Sequence, residues 1–285
     1  MNIIAELEFY EAIFCNDTLI SRDLQNIIFN TENDLVLNKE IIEYIENKLD
    51  SSKKELFQAF VKELIDFKRI KSENSLKVAT YTETVKAFYV KHKNYFLTPV
   101  SLELSQFKHT DFPNLINLSD ITTNSYNYIG KELLTKSILA VNFSSFSTTG
   151  EIDDFICEIF KIPREILQVD CFNRDYSSRF LDKVKGKKVN YYSLVKREFP
   201  ANIAEYIGYK KEMKKSIGSG LNIFYTKKRS LIHERKIFLG ALSITFDNAF
   251  ENICVDEPTW EIFIEFNKTK NLKWLEKSKD FRLLN

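Results

Sequence analysis

His233 and Arg235 stand two residues apart in Leu231-Ile232-His233-Glu234-Arg235-Lys236-Ile237-Phe238-Leu239 and are the pair whose types could do chemistry together. On a β-strand, alternate side chains share a face. His233, Arg235 and Ile237 would then look one way, and Glu234 and Lys236 the other. An imidazole can act as nucleophile or carry a proton, and a guanidinium beside it can grip phosphate oxygens in a fork. A structural histidine followed by a surface arginine would leave the same trace. Asp170 is the third candidate. It ends an apolar run over 165–170 and precedes the turn Cys171-Phe172-Asn173-Arg174-Asp175-Tyr176, where a carboxylate either caps the turn or serves chemistry.

Cations crowd the same part of the chain. Residues 174–236 hold 17 Lys and Arg against 6 Asp and Glu, a net of +11, while the remainder carries −10. Such a field attracts polyanions, nucleic acid and anionic headgroups among them. Lys183, Lys185, Lys187, Lys188, Lys227, Lys228 and Arg229 are the candidate phosphate contacts. Tyr192, beside Tyr191 and close to Lys187 and Lys188, could stack on bases, although alternating tyrosines on a strand would look the same. Lys210, Lys211, Lys214 and Lys215 add a charged helix face, which many solvated helices have.

These residues need a scaffold. A chain of 285 residues is long enough for two ordinary domains. Seven glycines against 24 phenylalanines argue for aromatic packing and against a glycine-rich phosphate loop. The four cysteines, at 15, 157, 171 and 254, show no CxxC spacing; they read as reduced thiols of a cytoplasmic protein, with no zinc, other metal or cofactor expected. No apolar run reaches the roughly 18 residues of a membrane span, and the start carries Glu6, Glu8 and Glu11 in place of a basic leader.

Apolar spacing of three and four over 38–68, broken at Asp50-Ser51-Ser52, predicts a helix pair, with Ser52 as N-cap and Glu55 completing a capping box. Alternation predicts strands over 76–90 and 94–104, and the polar stretch 105–128 reads as a long loop and boundary. Residues 1–128 are therefore expected to form an α+β domain. After 136 the pattern is better defined. Strands are predicted over 137–143, 165–170, 189–194 and 221–225, with helices over 149–160, 178–184 and 201–216 between them. That alternation indicates an α/β unit with a mostly parallel sheet. Strands over 231–239, 241–246 and 260–266, with turns at Gly240 and Asp247-Asn248, would add an antiparallel portion. In such sheets ligands bind beyond the carboxyl ends of the parallel strands.

The order strand, aspartate-bearing turn, helix, strand, helix, strand and then H-x-R resembles the phospholipase D superfamily in single-copy form. His233 and Arg235 stand at the His and Lys of its H-x-K-x4-D signature. Arg replaces Lys, and Gly240 occupies the place of the signature Asp. The pattern is more similar to the divergent phospholipase D-like domain found C-terminal to microtubule-interacting-and-trafficking domains and in bacterial defence-associated relatives. The matching elements are His233-Glu234-Arg235-Lys236-Ile237, Asp247-Asn248-Ala249-Phe250 and Thr259-Trp260-Glu261-Ile262. The resemblance covers residues 136–267, within a second domain placed at 136–285. It implies a phosphate-recognising, nucleic-acid-binding (DNA or RNA) component of an anti-phage defence system with a degenerate site. Two alternatives stay open: a nuclease or phosphodiesterase using His233, Arg235 and Asp170, and a non-catalytic subunit that docks on a protein partner. A homodimer pairing two H-x-R segments would favour the enzyme, because one-copy family members use two histidines.

Overall fold

The computed structural model describes residues 1–15, 19–72, 80–92, 94, 96–103, 106–120, 122–196, 198–199 and 201–285. The chain is α/β and divides into two compact units. One comprises residues 1–137 with 161–165, and the other 138–160 with 166–285.

The first unit is built from β1 (Asn2–Ala5), α1 (Leu7–Ile13), α2 (Leu19–Phe29), β2 (Asp34–Val36), α3 (Lys39–Lys48) and α4 (Ser51–Asp66). It continues with β3 (Ile70–Lys71), α5 (Tyr81–Lys91), β4 (Leu97–Ser101), β5 (Ile116–Asn117) and α6 (Tyr126–Lys136). Its strands lie in the order β3-β2-β1-β4-β5, and every pairing is parallel. That is a doubly wound sheet, so the α+β expectation for the first half is replaced by α/β. All five residues of β4 are buried, so both its faces are covered, as parallel sheets require.

Two local expectations change here. Asp50, not Ser52, caps α4, its Oδ1 accepting from Lys53 N at 2.9 Å. Aspartate caps as well as serine does, and Ser51 and Ser52 are already helical. The strand expected over 76–90 is helix α5 from Tyr81 onward, with Thr80 as N-cap; residues 76–79 lie outside the described residues. Tyr81, Val85, Phe88 and Tyr89 are buried at helical spacing, so packing overrides the strand preference of β-branched and aromatic residues. The polar stretch 105–128 contributes the buried Phe107, Phe112, Leu115 and Ile116 to this unit and contains β5.

The second unit contains β6 (Ile138–Asn142), α7 (Thr149–Phe160), β7 (Gln168–Phe172), β8 (Lys188–Leu194), α8 (Ile203–Ile217) and β9 (Leu221–Thr226). It ends with β10 (Arg235–Leu239), β11 (Leu242–Phe246), β12 (Glu261–Phe266), α9 (Lys268–Leu275) and β13 (Arg282–Leu283). The eight strands are ordered β13-β9-β8-β7-β10-β11-β12-β6. Only β7, β8 and β9 run parallel; β10, β11, β12 and β6 add antiparallel pairings, and β13 closes the other side. The sheet is mixed. The run at 137–143, expected to be a buried strand, is instead the edge strand β6, with Leu139 and Val141 buried and Ile138, Ala140 and Asn142 exposed. The helix expected over 178–184 is a short 3-10 turn over Leu181–Val184.

One face of this sheet carries Phe172, Tyr192 and Phe238, which form a buried cluster with Ile232 and Phe281, against which Trp274 and Leu275 pack. The turn between β10 and β11 falls at Gly240, whose φ of +67° is the left-handed conformation that suits glycine.

Candidate functional site at the carboxyl edge of the second sheet

Because β10 runs antiparallel beside β7, its first residue meets the last residues of β7: Lys236 pairs with Phe172 and Ile237 with Cys171. Arg235, the first residue of β10, therefore stands at the carboxyl edge of the parallel strands, next to Asn173 and Arg174. The turn after β7 is held by one phenol. Tyr191, fully buried on β8, accepts from Asn173 Nδ2 at 3.0 Å and from Ser177 N at 3.1 Å, and donates to the Asp175 carbonyl. Ser193 Oγ donates to the Arg174 carbonyl at 2.9 Å. The sequence thus fixes an arginine at a strand end through two neighbours on the next strand. In Tyr191→Phe, the Asn173 amide, Ser177 N–H and Asp175 carbonyl lose their partner. We expect a cost of about 1–3 kcal/mol, read as a lower midpoint in denaturant unfolding.

Arg174 donates Nε to the Ile232 carbonyl at 3.0 Å. Arg235 reaches the carbonyls of His233 and Asp247 through Nη1 at 3.3 and 3.4 Å, long contacts, while its Nε is buried without a partner. Burial, and then the neighbouring Arg174 charge, hold the Arg235 guanidinium below its usual pKa; Asp175 and Asp247 act in the opposite sense. Among the described residues, neither guanidinium has a carboxylate within ion-pair distance, whereas Arg179 next along the turn is paired with Asp153 at 2.8 Å. Two like charges near one another, one with a desolvated donor to spare, are a chemistry suited to receiving an anion. Asn173 Oδ1, in the same turn as Arg174, is also buried without a partner.

Several sequence expectations change with the coordinates. The strand expected from residue 231 begins at Arg235, so His233 lies before it and is exposed. The two side chains therefore do not share a strand face, and it is the His233 carbonyl that meets Arg235. The early start fails because Ile232 is buried in the aromatic cluster from the end of a 3-10 turn. Asp170 does not end its strand. It sits in the middle of β7 opposite Phe238 and Asn190, on the face away from Arg235. Its carboxylate accepts from Gln168 Nε2 at 2.8 Å, Asn190 Nδ2 at 3.0 Å and Tyr192 Oη at 3.3 Å. That is a satisfied ladder inside the sheet, remote from the rim.

Tyr192 cannot receive a base. It is buried between Phe172 and Phe224, ring centroids at 4.3 and 5.1 Å, and burial pushes its phenol up to about 12. The cations split into two groups. Lys227, Lys228 and Arg229 follow β9 and are exposed on the same edge as Arg174 and Arg235. Lys227 leans over the Phe199 ring with Nζ on the Phe199 carbonyl at 2.8 Å, and Lys228 lies 4.0 Å from Asp280. Lys183, Lys185, Lys187 and Lys188 are exposed at the amino end of β8. A seven-residue strand separates them from the carboxyl edge, about 20 Å. Arg174 is the residue that sequence reasoning missed; its place in a turn after a strand was visible, but not its neighbour from β10.

Among the described residues no group of His, Cys, Asp and Glu is arranged to hold a metal ion, and no helix is long and apolar enough to cross a membrane. No family model matches the sequence, and no curated protein matches it. Among solved structures, the chain is similar to TrmBL2, an archaeal chromatin protein whose structure is described as showing a novel mode of DNA binding. The identity is 10%, the TM-score 0.30, and the match covers 51% of this chain and 53% of TrmBL2, about half of each.

Proposed function

We propose that the second unit binds the phosphate backbone of a nucleic acid at the carboxyl edge of its mixed sheet. The observation that carries this reading is the Arg174–Arg235 pair, adjacent, unneutralised and holding a buried donor without a partner. Arg229 and Lys228, from the end of β9, extend the positive edge beyond a single phosphate. Three strand steps from β9 to β10 span about 14 Å, enough for successive phosphates of one strand. A phospholipase D-like relationship belongs to the same proposal, supported by the mixed sheet and by the H-x-R segment entering it at this edge. The nuclease variant needs the exposed His233 imidazole to swing toward Arg235, which now meets only its carbonyl; His233 would then be nucleophile and Arg235 would stabilise the transferring phosphoryl group.

The test is anisotropy titration of labelled single- and double-stranded DNA and RNA at low ionic strength, where phosphate contacts are strongest. Binding should fall steeply with added salt, and Arg174→Ala with Arg235→Ala should flatten the log–log salt slope by about 0.7–0.9 per lost phosphate contact. A variant with Lys183, Lys185, Lys187 and Lys188 replaced by serine should bind nearly as wild type. Absence of binding at low salt overturns the reading. So does loss confined to the lysine variant, which would move the interface to the opposite edge. Cleavage of any of the four probes that disappears in His233→Ala would establish the nuclease variant.

A further inference from the structure

The first unit carries a second site, independent of the polyanion reading. In its doubly wound sheet the chain leaves β1 toward β2 and β3 on one side and returns through β4 and β5 on the other, so the crevice lies between the carboxyl ends of β1 and β4. Ala5 pairs with Val100, and Ile3 with Leu35. Extended to the strand ends, the register sets Glu6 beside Ser101 on one side and Asn38 on the other.

Glu6 is fully buried and occupies the N-cap of α1 without capping it. Its Oε1 accepts from Ser101 Oγ and Leu102 N, both at 2.6 Å, and its Oε2 is buried with no partner. Glu8 repeats the arrangement, with Oε1 on Gln106 Nε2 and Oε2 buried and unpartnered. Glu40, in the first turn of α3, also has a buried unpartnered Oε2. Two further side chains, each more than nine-tenths buried, have free polar atoms here: Asn38 Nδ2 and Tyr10 Oη. The Tyr81 hydroxyl, hydrogen-bonded to the Ala5 carbonyl at 2.6 Å, lies within electrostatic reach of Glu6, Glu8, Tyr10 and Tyr44, which groups those four; Asn38 and Glu40 join them through the register of β2 and the start of α3.

The free atoms define the ligand. Three carboxylate oxygens want donors, the Asn38 amide wants an acceptor, and the Tyr10 phenol can do either. A hydroxyl group is donor and acceptor at once, and two on neighbouring carbons meet a carboxylate and an amide together. Phosphate is disfavoured, because Glu6-Leu7-Glu8 stands where a nucleotide-binding crevice has glycines. No direct metal ligand set exists among the described residues. We propose that the crevice at the ends of β1, β2 and β4 binds an uncharged vicinal diol, the ribose of a nucleoside being the chemical class that fits.

The measurement is isothermal titration of the full chain with adenosine, 2′-deoxyadenosine, free ribose and magnesium chloride. Adenosine should bind, and its 2′-deoxy analogue should bind about tenfold more weakly, one lost hydrogen bond to a charged acceptor. Ribose binding as well as adenosine would assign the site to the sugar alone. Asn38→Asp keeps the α3 cap, which the Asn38 Oδ1 now makes to Ile41 N at 2.8 Å, and exchanges the amide donor for a further carboxylate; adenosine affinity should fall at least about tenfold, measured on protein shown by its thermal transition to be folded. Glu8→Gln should weaken adenosine in the same direction. The proposal is overturned by equal affinity for the two nucleosides, by wild-type affinity in Asn38→Asp, by no heat with either sugar, or by magnesium binding in place of the diol. Because Arg174 and Arg235 are untouched, oligonucleotide titrations of the same variants report on the other site separately.

Discussion

Phe172→Ala should lower the unfolding free energy of the second unit by about 3–5 kcal/mol. Phe172 ends β7 fully buried, stacked on Tyr192 at 4.3 Å and met edge-on by Trp274 at 4.4 Å, Phe238 at 5.9 Å and Phe281 at 5.9 Å. Four aromatic partners, from β8, β10, α9 and the residue before β13, cannot all collapse into the space an alanine leaves, so the cavity term adds to the lost transfer energy. A domain with an ordinary margin of about 5–15 kcal/mol would lose a large part of it. Urea unfolding followed by tryptophan fluorescence is the measurement, since Trp274 touches the deleted ring. A change under about 1 kcal/mol would mean that the cluster repacks and is not what anchors β7. Phe172 also immediately precedes Asn173 and Arg174, so the variant should bind oligonucleotide more weakly even where it remains folded.

The strands that could be read from sequence are those with long, regular patterns. β8, β9, β11 and β12 fall within a residue of expectation because each holds five or more residues between clear turn signals. The first unit's sheet was not legible for the opposite reason. β2, β3 and β5 hold three, two and two residues, too few for any periodicity, so a doubly wound sheet looked like a small α+β unit. The buried carboxylates at the end of β1 were hidden with it, since in sequence Glu6 and Glu8 spoke only against a basic leader. In the second unit, sequence placed cations near strands but could not give their edge. Lys188 starts β8 and Lys227 follows β9; only the shared direction of those strands shows that they lie at opposite ends. The nearness of Arg174 to Arg235 depends on β10 entering beside β7 and not beside β9, which precedes it in sequence. Local pattern carries no information on that choice.

Gly220→Ala should cost the second unit a net of about 2–3 kcal/mol through backbone collision alone. A Cβ at Gly220 would overlap the Lys187 carbonyl oxygen and lie 3.0 Å from its carbon and 3.4 Å from Lys188 Cα. These are main-chain atoms at the amino ends of β8 and β9, so no side-chain rotation can relieve the clash. The Gly220 carbonyl meanwhile accepts from Val189 N at 3.0 Å, and Gly186 N donates to the Ile217 carbonyl at 2.9 Å, tying the strands and the end of α8 together. Glycine's extra freedom in the unfolded chain would favour alanine by about 0.4–1 kcal/mol, which the overlap outweighs. The expected result is a lower Tm, together with faster hydrogen exchange at Val189 and Leu221, while Arg174 and Arg235 at the far edge keep their contacts. Oligonucleotide affinity below the transition should therefore stay within about twofold of wild type, because the sites lie some 20 Å apart and share no partner. An affinity that fell in step with stability would instead place the polyanion at the amino edge, on the lysines this glycine supports.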